Sequence, residues 1–277
     1  MNQWTTDRNV RRIVALNVRG GGGTRVDRLC RYLDTHDPHT VVITEWRDNA
    51  TGRLFEAWAK AQAMHHVGLA DGGTANGVFI ASRAEFLAES VTPVGCGAGT
   101  LMQARFAEFT ILGCYFPQLE EKAVFFDRCS QVIATHRGKP LALIGDLNTG
   151  NQITDRSEKG VRYSCAEGFD RLCRLDGLID LWRNTHTDAR EWSWLSNRGN
   201  GFRIDHALAN AEFLERSVPV CTYDHSTRTT GLTDHSALIV EIKAEADCLN
   251  PLAHGRTTRL LSLRLWIDRA EGAHGEG

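Results

Sequence analysis

The chain has 277 residues, 42% of them hydrophobic and 24% charged, a balance that excludes a disordered or fibrous protein and leaves ample material for one large core. Its 32 lysines and arginines stand against 34 acidic residues, a net charge of −2. That excludes a protein that coats nucleic acid by bulk charge, although a local basic groove stays open.

Taken in chain order, apolar and β-branched runs alternate with helical patterns. Residues 12–17 read as a buried strand, and residues 24–36 as an amphipathic helix with Val26, Leu29, Cys30 and Leu33 on one stripe. A second strand is expected at 40–45, a helix at 51–63, a strand at 77–81, and a strand pair over 100–115 that turns near Ala107 and Glu108. A helix follows at 119–137. The continuous apolar run 140–146 predicts a central strand. A helix is expected at about 166–176, then strands at about 192–195, 202–209, 217–223 and 236–242. This order is neither strict βαβ nor pure hairpins. It predicts an α/β fold with two mixed β-sheets packed as a sandwich and helices on both outer faces, four layers in all. Residues 1–243 form the expected catalytic domain. Residues 244–277 read as an extension with at most one docked helix, from Leu260 to Trp266, before a frayed end.

The eight cysteines are scattered and none forms a Cys-x-x-Cys pair, which speaks against a zinc ribbon or a redox motif. Reduced thiols in apolar strings fit a cytoplasmic protein. The first dozen residues lack an apolar h-region, so no signal peptide is expected, and no apolar run is long enough for a membrane span. A monomer is expected.

Polar residues appear where apolar strands stop. Asn17 ends the first strand and Glu45 the second, Tyr115 follows Ile111-Leu-Gly-Cys, and Asp146 and Asn148 close the strand from Leu141. Asp205 and His206 follow Phe202-Arg-Ile, while Asp234 and His235 precede Ser-Ala-Leu-Ile-Val. Side by side, such strands would gather carboxylates, amides, a phenol and a histidine on one rim. Oxygen donors without thiolates suit a hard cation, Mg²⁺ or Mn²⁺, and metal, carboxylates and histidine together equip a site for phosphoester hydrolysis. Each piece has a plainer reading on its own. Glu45 could be a solvated strand end, Gly145-Asp-Leu-Asn a side-chain turn, and Tyr115, Trp194 or Phe202 core aromatics. His65 and His66 read as structural. The run Gly20 to Gly23 lacks both the G-K-[ST] ending and the G-x-G-x-x-G register, so it reads as a flexible turn.

The order of these strings resembles the endonuclease/exonuclease/phosphatase superfamily over residues 11–243. Leu16-Asn17-Val18-Arg19-Gly20 looks like its first motif, Ile43-Thr44-Glu45 like its metal-binding motif, and Gly145-Asp146-Leu147-Asn148-Thr149 like its G-D-x-N motif. Gly201 to His206 resembles its R-I-D strand, and Thr233-Asp234-His235-Ser236 its S-D-H motif. Within the superfamily, Tyr115-Phe116-Pro117-Gln118 and Ser193-Trp194 resemble the exonuclease III and abasic-site endonuclease branch. The departures are Arg19, where that branch often carries Asp or Asn, and Trp46, where it carries Thr.

The resemblance implies a divalent-metal phosphodiesterase, a DNA nuclease before a phosphatase of small or lipid phosphomonoesters or a non-catalytic binding module. It implies Glu45, Asn17 and Asp234 at the metal, with Asp146, Asn148, His235, Asp205 and Tyr115 in catalysis. Arg19, Arg47, Trp194, Phe202 and Arg203 are expected at the substrate, with Arg25 and Arg162 as further candidates along a nucleic-acid path.

Overall fold

The computed structural model describes residues 10–97 and 99–243; the expected helix at 260–266 lies outside them. In chain order the elements are β1 (Val10–Asn17), α1 (Val26–His36), β2 (Thr40–Trp46), α2 (Ala50–Ala61), β3 (His65–Leu69), β4 (Gly77–Ser82), β5 (Leu87–Ser90), β6 (Thr100–Arg105), β7 (Thr110–Tyr115), α3 (Ala123–Thr135) and β8 (Leu141–Asp146). Next come α4 (Ala166–Arg174), β9 (Ile179–Asp180), β10 (Trp194–Leu195), β11 (Gly201–Phe202), β12 (Asp205–Ala209), α5 (Ala211–Glu215), β13 (Val218–Asp224), α6 (Ser226–Thr229) and β14 (Ala237–Lys243).

Two six-stranded mixed sheets carry the fold, ordered β13-β14-β1-β2-β4-β3 and β5-β6-β7-β8-β12-β9. The alternation along each strand decides what fills each layer. Inward residues such as Val42, Ile80, Met102, Ile111 and Ile144 meet between the sheets. Outward residues of the first sheet, Val14, Leu16, Val41 and Ile43, pack on Leu29 and Leu33 of α1 and Phe55 of α2. Those of the second, Leu112, Leu141 and Leu143, pack on Phe125 and Phe126 of α3 and Phe169 of α4. The result is the expected four-layer sandwich. The α1 stripe forms as read, because Val26, Leu29 and Leu33 recur at helical spacing and all are buried. Asn49 starts α2 by accepting hydrogen bonds from the Thr51 and Gly52 amides.

Three strands were not foreseen, among them the two-residue β9. β3, His65-His-Val-Gly-Leu, has no apolar run, and β5 is a mostly exposed edge strand. β3 pairs antiparallel with β4, and its Gly68 makes room for the Trp46 ring; a Cβ there would sit 2.5 Å from the indole. The expected strand at 202–209 also breaks in two, β11 and β12, at Arg203 and Ile204.

The register gathers the strand ends. β1 and β2 run parallel, with Asn17 opposite Thr44. β7 and β8 run parallel, with Tyr115 opposite Asp146, and β12 runs antiparallel to β8, with Asp205 opposite Asp146. The C-terminal ends of β1, β2, β7 and β8 therefore share one rim with the starts of β12 and β14.

Candidate active site at the strand tips

Glu45 sits in a bulge, where the β2–β4 register shifts between Thr44 and Trp46. Its backbone is left-handed, φ 56°, a conformation that costs a non-glycine residue free energy and re-aims its side chain. Arg19 (φ 55°) and Asn148 (φ 50°), also on the rim, are likewise left-handed. Gly145 is required for a different reason: at φ 148°, a Cβ would meet the Cys114 carbonyl oxygen at 2.0 Å, which only glycine avoids.

The Asn17 amide nitrogen donates to Glu45 Oε1 at 3.0 Å and to Asp146 Oδ2 at 2.8 Å. Its oxygen accepts the Arg19 amide at 2.8 Å. Asn17 thus holds the two carboxylates that face each other across the sheets, with its oxygen turned to the backbone. The glycine run contributes directly, which corrects its reading as a flexible turn. All four glycines have positive φ, and the Gly20 amide donates to Glu45 Oε2 at 2.6 Å.

Asp146, Asp205 and His235 bring one ligand atom each to within 4.8 Å of one another, and all three are buried. His235 Nδ1 lies 2.8 Å from Asp205 Oδ2. The Ser193 hydroxyl accepts the Ile204 and Asp205 amides, and the Tyr223 hydroxyl donates to the Asp205 carbonyl at 2.6 Å, so the backbone under Asp205 is fixed from two sides. Burial disfavours a charged imidazole, but Asp205, with Asp146 and Asp234 beyond it, overrules burial and raises His235 to about 10. Burial, and then the Asp205 charge, push Asp146 up to about 7. Two buried carboxylates beside the half-buried Glu45 make a site short of positive charge. That donor set, oxygen-rich and without thiolate, fits a divalent hard cation.

The remaining expected residues divide. Asp234 is half-buried, 3.3 Å from Trp194 Nε1 and 3.8 Å from the exposed Arg19 guanidinium. Trp194 and Phe202 pair across the β10–β11 ladder with rings 5.7 Å apart; Trp194 is half-buried and Phe202 buried. The Asn148 side chain donates to the Phe116 carbonyl and accepts from Gln118, while its amide donates to Asp146 Oδ1. Lys122, unforeseen and buried, holds the Asn148 carbonyl at 2.6 Å.

Arg203 is not at the substrate. It is 1% exposed, bidentate to Asp155 at 2.8 and 2.9 Å and bonded to Asp180 at 2.6 Å. An arginine this buried stays only where carboxylates pair it. Arg25 likewise serves the backbone, donating to the Val18, Arg19 and Leu232 carbonyls. The same neutralisation removes a rival cation site. Asp155, Asp180 and His206 also cluster, but Arg203 and Arg183 already occupy their oxygens.

Asn76 was also missed. It accepts from Arg47 Nε at 2.8 Å and donates to the Tyr115 hydroxyl at 3.2 Å.

The sequence model of the Endonuclease/Exonuclease/phosphatase family matches residues 14–235. The chain belongs to that family. It is a phosphoester hydrolase by membership, and the motif strings that carried the resemblance are the ones the fold brings to a single rim. Among solved structures, the chain is similar to an AP endonuclease from Archaeoglobus fulgidus, at 22% identity over 83% of this chain and 98% of that one, with a TM-score of 0.70. It is similar to a 3'-5' exonuclease, NExo, from Neisseria meningitidis, at 21% identity, 84% and 99% coverage and a TM-score of 0.72. A 3' phosphatase form of NExo from Neisseria, bound to a product DNA hairpin, shares 20% identity with the same coverage and a TM-score of 0.73. At these identities the likeness shows the fold. Among curated protein sequences no match is found. No helix among the described residues is long and apolar enough to cross a membrane.

Proposed function

We propose that this protein is a Mg²⁺- or Mn²⁺-dependent phosphodiesterase acting on DNA, in the manner of an exonuclease or an abasic-site endonuclease. The observation that carries the reading is the buried Asp146, Asp205 and His235 cluster facing the Glu45 carboxylate across the Asn17 amide. DNA is favoured as substrate because one similar protein is an AP endonuclease and another, NExo, is bound to a product DNA hairpin, and because Arg19 and Arg47 flank the rim.

Glu45, with Asp234 close by, would hold the cation, which when bound withdraws charge from a phosphoryl oxygen. Asn17 sets the separation of the two carboxylates. Asp146 accepts the proton of the attacking water, because burial and Asp205 give its carboxylate a basicity matched to neutral pH. His235, kept protonated by Asp205, donates a hydrogen bond to the phosphoryl group rather than acting as the base. Tyr115 donates to a second phosphate oxygen, Asn148 shapes the loop that carries Asp146, and Trp194 and Phe202 wall the sugar side.

The test is turnover of a panel under Mg²⁺ or Mn²⁺ with an EDTA control: abasic-site duplex, plain duplex, single strand, 3'-phosphate ends and soluble phosphomonoesters. Metal-dependent cleavage of a DNA phosphodiester is expected, with losses on the order of 10²–10⁴-fold in Asp146→Asn and His235→Ala. Full activity in either variant, or turnover confined to soluble phosphomonoesters, refutes the assignment.

A further inference from the structure

Asn76 stands between Arg47, expected at the substrate, and Tyr115, expected in catalysis. Arg47 Nε can only donate, so the Asn76 atom it meets at 2.8 Å is the amide oxygen. The amide nitrogen therefore faces Tyr115, and at 3.2 Å it must be the donor to the phenol oxygen. This orientation has a chemical consequence at each end. The Tyr115 oxygen already accepts one hydrogen bond, and its own proton has no acceptor among the described residues. Arg47 spends Nε on Asn76, and its two terminal nitrogens make no hydrogen bond among the described residues. Its stem is also confined. A Cβ at Gly21 would lie 3.2 Å from Arg47 Cδ, so the glycine run that serves Glu45 also packs along Arg47. Burial and the Glu45 carboxylate keep Tyr115 protonated, so the phenol remains a donor.

We propose that Asn76 is a positioning residue that couples Arg47 to Tyr115, presenting the guanidinium and the phenol O–H as a preset pair of donors to the non-bridging oxygens of one phosphate. The inference rests on reading the rim as a phosphate site. It adds a residue that arranges the donors without touching the substrate, and it explains why a buried tyrosine and a half-buried arginine from different sheets arrive with unspent donors. Preset donors raise affinity because they need no ordering when the anion arrives.

The test measures inorganic phosphate binding by calorimetry in the presence of Mg²⁺, without turnover, so its outcome is separate from whether the enzyme cleaves DNA. Asn76→Ala and Tyr115→Phe should each weaken phosphate by about threefold to tenfold, the cost of one hydrogen bond. The double variant should be no weaker than the weaker single, since both remove the same coupled donor. The isosteric Asn76→Asp should be worse than Asn76→Ala. A carboxylate there would accept the Tyr115 proton and pair with Arg47, so both donors would be lost. A merely structural Asn76 predicts the reverse order, because the isosteric change disturbs packing least. Wild-type protein that does not bind phosphate, additive losses in the double variant, or Asn76→Asp binding better than Asn76→Ala would each overturn the proposal.

Discussion

His235 Nδ1 lies 2.8 Å from the Asp205 carboxylate, a bond that joins the approach to β14 in one sheet to the first residue of β12 in the other. Replacing Asp205 by Asn keeps an acceptor but removes the charge that overrules burial at His235. The imidazole should then lose its proton at far lower pH than about 10. We expect Asp205→Asn to lower kcat by about 10²-fold or more and to move the alkaline limb of the kcat–pH profile to lower pH. An unmoved limb would mean that His235 does not act as the protonated donor.

Cation binding should compete with a proton on Asp146. Its folded pKa, about 7, lies above the unfolded value of about 4. Between those values the folded metal-free protein holds the extra proton, so its stability falls as pH rises through that window. A divalent cation on the neighbouring Glu45 favours the ionised form of Asp146 by charge. Its affinity should therefore strengthen with pH up to about 7 and then level off. Thermal unfolding with and without 10-fold varied Mg²⁺ is expected to show a larger Tm increase at pH 8 than at pH 6. Equal increases would place the cation elsewhere.

Arg203 should matter to folding rather than to recognition. Arg203→Met leaves Asp155 and Asp180 buried with too little compensating charge, at a cost of roughly 3–5 kcal/mol, measurable by denaturant unfolding. Burial alone would raise the Asp180 carboxyl, yet Arg203 and His206 hold it well below the usual carboxylate range. A depressed carboxylate contributes stability above its unfolded pKa and loses it as pH falls through the folded value. The stability gap between wild type and Asp180→Asn should thus stay constant from pH 7 to pH 5 and narrow only below about 4.

Arg19 is exposed on the rim beside Asp234. If it meets a DNA phosphate, Arg19→Ala should weaken binding to all sequences alike and reduce the slope of log K against log salt by about 1. Fluorescence anisotropy with a labelled duplex at several salt concentrations reads that slope; an unchanged slope removes Arg19 from the DNA path.

Most of the residues gathered at the candidate site were legible because one positional rule applied: a polar residue that interrupts an apolar strand marks a strand tip. The rule found Asn17, Glu45, Tyr115, Asp146, Asp205 and His235. It could also have found Asn76, which stands directly before Gly77-Val-Phe-Ile, but β4 enters the rim at its start rather than its end. Arg203 was misplaced because its position two residues before Asp205 says nothing about direction. It lies in the break between β11 and β12 and turns toward Asp155 and Asp180, residues whose burial no local pattern announces. The glycine run was misread because its role is carried by backbone amides, which every sequence has. The four layers were legible from element order, whereas β3 and β5 form by a pairing with β4 and an edge pairing that their own residues do not announce.

The Asn17 amide reaches Glu45 in one sheet and Asp146 in the other, and the proposed reactive centre therefore exists only while the two sheets keep their spacing. A small slide of one layer over the other would disassemble it long before either layer melts. In rising urea, hydrolytic inactivation should run ahead of the loss of far-ultraviolet circular dichroism, making catalysis the most sensitive gauge of how the halves are seated.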